Sequence, residues 1–384
     1  MSAPIIQGWC PGALRPMQSG DGLVVRVRAP LSRLAQDKAA QIADLAQIYG
    51  NGLIDISNRA NLQIRGVTDA THAPLIDGLR MLGMIDRDIA TETRRNIVLT
   101  PYWTAGDDSH RIATALMLAL SSDNAPATPG KFGYAVDCGD TPVMTDISAD
   151  IRIERCQNGL IVRADTCDMG IPVTVDSAAE TALEIARWFL TSGGAPDGRG
   201  RMSRHLKTTE LPAEYRTAPA EPAQHTPQIG RTTNGTLVGL EFGQMQAQTL
   251  AALAKPAPIR LTPWRMLLLE NLTTVPEIDG LITDPTDPRL NVVACTGAPG
   301  CPQALSDTRT LARQLAPHTA HLLHVSGCAK GCAHPSAAPF TLTATAPDTF
   351  DLIHNGTASA NSFATGLASD ALIRHPDLLT TKRA

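Results

Sequence analysis

The sequence predicts an α+β protein built twice on one plan. Three observations carry that expectation: a repeated run of strand, helix and strand pair, a longer α/β stretch after each copy, and a breaker-rich stretch between the halves. In the first copy, Leu23-Val24-Val25-Arg26-Val27-Arg28 alternates apolar and charged residues, the period of a half-buried strand. Residues 34–49 repeat Ala, Leu and Ile at helical spacing and stop at Gly50-Asn51-Gly52, and residues 53–67 read as a strand pair. The second copy opens with Thr236-Leu237-Val238-Gly239-Leu240-Glu241-Phe242, continues through a shorter helical stretch at 245–254 and returns to strands in 259–269. Laid over each other without a gap, Ile54-Asp55-Ile56-Ser57-Asn58-Arg59-Ala60-Asn61-Leu62 meets Ile259-Arg260-Leu261-Thr262-Pro263-Trp264-Arg265-Met266-Leu267, as expected of pseudo-twofold half-domains.

After the first copy the pattern predicts a strand at 96–99, a helix at 110–121, strands around 132–136 and 151–163, and a helix at 178–191. After the second it predicts a strand at 290–294, a helix at 304–316, a strand at 321–325 and a hairpin across 340–353. The expected units are therefore 14–80, 90–192, 235–285 and 288–375. Between them, 193–234 is expected as a linker or surface crossover, broken by Gly193-Gly194, Pro212, Pro219, Pro222 and Pro227.

At 384 residues the chain is long enough for several cores, which favours an enzyme over a small binding module. The net charge of −4 makes nucleic acid and anionic membrane poor partners for the surface as a whole. Residues 1–18 lack a charged segment followed by a long apolar one, and no window reaches the apolar length of a membrane span, so a cytoplasmic location is expected.

Cysteine spacing carries the chemistry. Cys295 and Cys301 form a C-x5-C pair in a Gly/Pro-rich loop, and after 26 residues Cys328 and Cys332 form a C-x3-C pair. Four thiolates are the usual complement of a [4Fe-4S] cluster. Structural zinc favours shorter knuckles, so only the second pair suits it, and two disulfides or four unrelated buried thiols are the other readings. Cys10, Cys138, Cys156 and Cys167 are scattered without ligand spacing and are expected as core or incidental thiols.

The duplicated half-domain, the segment from Asp55 to Arg65 and the two Cys pairs together resemble the sirohaem sulfite and nitrite reductase superfamily. Within it, Asn58-Arg59-Ala60-Asn61-Leu62-Gln63-Ile64-Arg65-Gly66, Leu261-Thr262-Pro263-Trp264-Arg265 and His324-Val325-Ser326-Gly327-Cys328 look most like the precorrin-3B synthases of aerobic cobalamin biosynthesis. The resemblance implies two ferredoxin-like half-domains plus two α/β domains, the second carrying the [4Fe-4S] cluster. It implies an oxidoreductase, a monooxygenase that uses O2 to hydroxylate precorrin-3A and close a γ-lactone. It also implies a mononuclear non-haem iron and NADH-derived electrons delivered through a reductase or a ferredoxin. A sirohaem-dependent sulfite or nitrite reductase, and a non-catalytic iron-sulfur electron carrier, are the alternatives.

Precorrins carry several carboxylates, which Arg binds through paired charge-assisted hydrogen bonds. The superfamily's tetrapyrrole-binding strand matches Ser57, Arg59, Asn61 and Gln63, with Arg260 and Arg265 in the other copy. On a regular strand, Arg59, Asn61, Gln63 and Arg65 would share one face. Lys131 resembles the first of two substrate-facing lysines of sulfite reductases; the second position is Gly133, and Asp55 stands where those reductases place an Arg. Both departures disfavour a small oxyanion substrate. The superfamily's bridging cysteine matches Cys332, while Gly300, Gly327 and Gly331 would let backbone N–H groups approach sulfur. His318, His321, His324 and His334 surround the second Cys pair, but no facial-triad spacing singles out ligands for a second iron, and no catalytic residue is assigned.

Overall fold

The computed structural model describes residues 10–222 and 226–379. Residues 1–9, half of the stretch in which a targeting signal was sought, lie outside the described part. Four sheets organise the chain, two for the half-domains and two for the α/β stretches.

The first half-domain sheet runs Met17–Ser19, Gly22–Val27, Leu62–Val67, Leu53–Ile56, and is completed by Gln244–Gln246 from the second copy. The second runs Gly230–Thr232, Gly235–Leu240, Met266–Glu270, Ile259–Leu261, and is completed by Arg33–Leu34 from the first copy. Each copy thus donates a short strand to the other, Met245 pairing with Ile54 and Leu34 with Ile259. The helices that follow these strands, Gln36–Tyr49 and Ala247–Ala254, pack on each other over one shared core containing Ile42, Ile54, Leu62, Leu250, Ile259 and Leu267. Burying the apolar faces of both copies in one core makes the pair a single unit, since neither sheet would otherwise be covered.

The gapless overlay holds at atomic detail. Ser57 Oγ accepts from the Asn61 N–H at 3.2 Å, and its counterpart Thr262 Oγ1 accepts from Met266 N–H at 3.3 Å. Ala60 and Arg265, equivalent in the overlay, both take positive φ, 52° and 61°. Here the structure departs from one expectation: 57–61 is a tight turn and the strand begins only at Leu62. Arg59 and Asn61 therefore do not share a strand face with Gln63 and Arg65. The reason is local, because Ser57 Oγ captures two backbone N–H groups that a continuous strand would have paired with a neighbour.

The two α/β sheets repeat one topology. Ile97–Leu99, Tyr134–Asp137 and Ile151–Cys156 are parallel, followed by antiparallel Gly159–Ala164 and Met169–Val173. Val292–Ala294, Leu323–Ser326 and Ala338–Ala346 are likewise parallel, followed by antiparallel Thr349–Gly356 and Ala364–Ala368. Residues 193–234 do more than connect: Ala218–Pro219 extends the first α/β sheet, and Met202 and Leu211 join its core. Among the described residues no helix is long and apolar enough to cross a membrane.

Candidate functional site: a thiol-lined, cationic cavity between the halves

Cys295 follows the strand Val292–Ala294, and Cys328 follows Leu323–Ser326, so both pairs issue from the carboxyl ends of adjacent parallel strands. That is where an open α/β sheet presents its loops to a ligand. Gly297 has φ 70° and its backbone lies so close to Thr308 that a Cβ would stand 2.8 Å from the Thr308 nitrogen. Only glycine turns the first loop back on itself there. Gly331, at φ 62°, does the same within the second loop.

The loops are tied together before any cofactor is considered. The Gly327 N–H donates to Cys295 Sγ at 3.2 Å, Leu305 N–H donates to the Gly327 carbonyl at 2.8 Å, and Ser326 Oγ donates to the Cys328 carbonyl at 2.7 Å. None of the four cysteines is in a disulfide. The Cys332 thiol is raised, chiefly by burial and further by the neighbouring thiols Cys295, Cys328 and Cys301, with Lys330 pulling the other way. Among the described residues no three His, Cys, Asp or Glu side chains close around a single ion. A cubane cluster asks for a wider tetrad, because each thiolate binds a different iron.

Cys295 and Cys332 line a cavity of about 390 Å³ whose opposite wall comes from the first half-domain: Ser57, Gln63, Arg26 and Arg65, with Arg265 and Arg309 between. Arg26 donates to Gln63 Oε1 at 2.6 Å. Burial lowers Arg265, and Arg309 beside it lowers it further against Asp55 and Cys295. Arg309 lies 3.6 Å from Asp55, and its Nε is buried without a partner. Asp55 also accepts from Arg65 and Gln244, so its carboxylate balances this wall.

Arg65 is a clasp. Its guanidinium holds Asp21 at 2.6 Å, Asp55 at 3.3 Å, Ser19 Oγ at 3.0 Å and the Gly300 carbonyl at 3.0 Å, tying the first hairpin to the Cys295 loop. Gly20 N–H and Ser19 Oγ reach the same carbonyl.

Arg59 is buried, donates to the Lys131 carbonyl at 2.7 Å and leaves Nη1 without a partner. Lys131 lines a separate cleft, and Asn61 lines a small void behind the turn. Arg260 is not brought to the cavity: it pairs with Glu270 at 2.7 Å, donates to the Pro101 and Trp103 carbonyls and stacks 4.1 Å from the Trp103 ring. In the second copy the wall is carried by Arg265 and Arg309 instead.

Arg26 and Arg309 carry no site signal in the sequence and Cys10 is expected there only as a core or incidental thiol; Arg26 and Arg309 lie far apart in the chain and meet at this cavity only through packing. Cys10 lines a cavity of about 300 Å³. Burial would raise its thiol, but Arg26, Arg59 and Lys131 outweigh that and hold it below the ordinary value. Cys138 and Cys156 are buried thiols, as expected, and burial pushes Cys138 up to about 12. Of the four histidines, His324 is fully buried with neither ring nitrogen partnered, and packs against His334 at 5.8 Å between ring centroids. Burial, His334 and Arg265 hold it neutral, with a pKa near 4.

Comparison with known proteins agrees with this fold. The family described as nitrite/sulfite reductase ferredoxin-like half domain matches residues 15–82. A precorrin-3B synthase from Sinorhizobium sp. is 30% identical over 93% of this chain and 84% of its own length. The chain belongs to the precorrin-3B synthase family. Chloroplastic ferredoxin–nitrite reductase from Zea mays is more distant, 22% identical over 80% of this chain and 67% of its own. The solved structure of the Mycobacterium tuberculosis NirA protein superposes with a TM-score of 0.66 at 15% identity, covering 92% of this chain and 79% of that one. The precorrin-3B synthase family thus shares the sulfite and nitrite reductase architecture, and the chain is a homologue of an oxidoreductase enzyme.

Proposed function

We propose that this protein carries out the precorrin-3B synthase reaction: O2-dependent hydroxylation of precorrin-3A with closure of a γ-lactone from a ring acetate. The observation that carries the reading is the cavity in which Arg26, Arg65, Arg265 and Arg309 face the thiols of Cys295 and Cys332. A polyacidic macrocycle needs such a wall, since its carboxylates lose hydration on entry and must recover it as charge-assisted hydrogen bonds.

Cys295, Cys301, Cys328 and Cys332 fit a [4Fe-4S] cluster, being free of disulfides and on two loops that leave adjacent strand ends, where the Gly327 N–H reaches the Cys295 sulfur. Bound there, the cluster would supply single electrons from an NADH-linked reductase or ferredoxin. The chain's own residues bind and orient the substrate. Arg265 and Arg309, half-buried with only Asp55 as a nearby carboxylate, are set to take carboxylates, while Asp55 offsets part of their charge. Ser57 and Gln63 supply neutral hydrogen-bonding groups on the same wall. The mononuclear non-haem iron implied by the resemblance finds no three-residue ligand set among the described residues, and no step is assigned to it.

Anaerobic incubation of the cluster-loaded protein with precorrin-3A, followed by ¹⁸O2 and reductant, tests the reading by product mass. The expected product gains one labelled oxygen. Unchanged precorrin beside rapid reduction of sulfite or nitrite would assign the protein to the reductases instead.

A further inference from the structure

The cleft formed by the segment that joins the halves carries charge that the thiol-lined cavity does not use. Lys131, Arg199, Arg201, Arg204 and Lys207 line a cavity of about 630 Å³, and no Asp or Glu lies on its wall. Arg201 is committed to Asp150 at 2.9 Å and to the Ala149 carbonyl. Arg199, Arg204 and Lys207 are exposed, and among the described residues no ion pair engages them or Lys131. In a chain of net charge −4, a wall of five cations with no carboxylate runs against composition. Like charges held together repel, so such a wall is stable in company with an anion.

The setting indicates which anion. A concave space of this size suits a small molecule or part of one better than a flat protein surface. The cleft shares no lining residue with the thiol-lined cavity, so an electron-donating protein seated on it would not lie against the cysteines. It does share Pro129 and Arg199 with the cavity of Cys10, and Pro11, the next residue, lines the thiol cavity. Arg59 reaches this region by donating to the Lys131 carbonyl, and its Nη1 is buried without a partner.

We propose that this cleft is a second polycarboxylate-recognition site, one that takes an acid-bearing edge of the macrocycle whose other edge meets Arg265 and Arg309. The inference rests on the reading of the substrate as a polyacidic tetrapyrrole. Arg199, Arg204 and Lys207 then act as binding residues at the mouth, where they also steer an anionic substrate inward.

Uroporphyrin, an eight-carboxylate macrocycle, is a stable probe whose binding is read by its own fluorescence, with citrate as the small free carboxylate. The wild-type holoprotein should bind uroporphyrin in a salt-dependent manner and more tightly than citrate. The triple variant Arg199→Glu, Arg204→Glu, Lys207→Glu should bind it about tenfold more weakly, with a shallower salt dependence, while its cluster absorption is unchanged. If the triple variant does not fold, Lys207→Glu alone keeps the same direction of effect. Variants that bind uroporphyrin as the wild type does would overturn the inference and leave precorrin hydroxylation standing. Equal binding of citrate and uroporphyrin, lost together in the variant, would assign the cleft to a free small carboxylate and overturn the macrocyclic edge. Tight, charge-dependent uroporphyrin binding beside unchanged precorrin in the ¹⁸O2 assay would keep the site and remove the reaction.

Discussion

Single residues on this chain divide into those that hold the site together and those that face into it. Arg65 looks from sequence like a substrate residue, yet its guanidinium is saturated by Asp21, Asp55, Ser19 and the Gly300 carbonyl, all within 3.3 Å. Arg59, one turn earlier, keeps a buried Nη1 without a partner, which costs on the order of 1–3 kcal/mol unless a ligand answers it. Arg59→Gln should therefore leave cluster absorption intact and weaken macrocycle binding by about tenfold, measured by equilibrium titration. An unchanged dissociation constant would return Arg59 to a purely structural role. Cys328→Ser should abolish the cluster's absorption and its acid-labile sulfide together, checked by colorimetric iron and sulfide assay. A full complement in that variant would exclude Cys328 from the ligand set.

Elements reveal what a linear reading resolves and what it does not. The half-domain strands and the helix Gln36–Tyr49 were legible because their apolar periods are clean and their stops are glycine. The helix Asp69–Met81 was not, because Pro74 and Gly78 break its pattern. Gly78 is there for packing, since a Cβ would stand 2.6 Å from Leu45. The capping box of Thr68 and Thr71 was the available signal. Strand exchange between the copies left no mark on the local pattern, because Arg33–Leu34 and Gln244–Gln246 are too short to show a period. The exchange is locked by Glu270, which accepts from Arg33 at 2.7 Å and from Arg260 at 2.7 Å. Burial alone would raise the Glu270 carboxyl, but hydrogen bonds from the two guanidinium groups hold it below its ordinary value. A depressed folded value means this knot stabilises the fold above the ordinary glutamate range and fades as pH falls through the folded value. Glu270→Gln should cost roughly 3 kcal/mol near neutral pH, because it leaves buried Arg260 uncompensated while Arg33 is part-exposed. Urea unfolding of both proteins should show that gap shrinking below about pH 4. A gap independent of pH would mean that the charge of Glu270 is not what stabilises the exchange.

At the scale of the molecule, duplication supplies a cavity with two unlike walls. The first copy contributes Arg26, Ser57 and Gln63, the second contributes Arg265, and the cysteine loops close the floor. The two cysteine pairs stand out in the sequence by their spacing, and the structure places both on loops that leave adjacent parallel strands. The cationic walls were only partly legible there, since Arg309 and the cleft of Arg199, Arg204 and Lys207 are assembled from segments with no motif of their own. The hairpin Met17–Ser19 with Gly22–Val27 reaches across to the Cys295 loop, where a Cβ on Gly20 would stand 2.1 Å from the Pro299 carbonyl. Gly20→Val should push the halves apart at that seam and speed cluster loss to a chelator several-fold, followed by the decay of visible absorption. An unchanged rate would show that the seam does not guard the cluster.

Four thiols holding an electron-carrying cluster against a cavity made for a polyacid would leave a spectroscopic mark. Electron paramagnetic resonance of anaerobically isolated, dithionite-reduced protein, with metal analysis of the same sample, tests that arrangement most directly. The expected signal is that of a reduced four-iron cluster at about four irons per chain, with a line shape that shifts when uroporphyrin is added. Protein that is colourless and silent under those conditions, holding zinc or no metal at these cysteines, would contradict it.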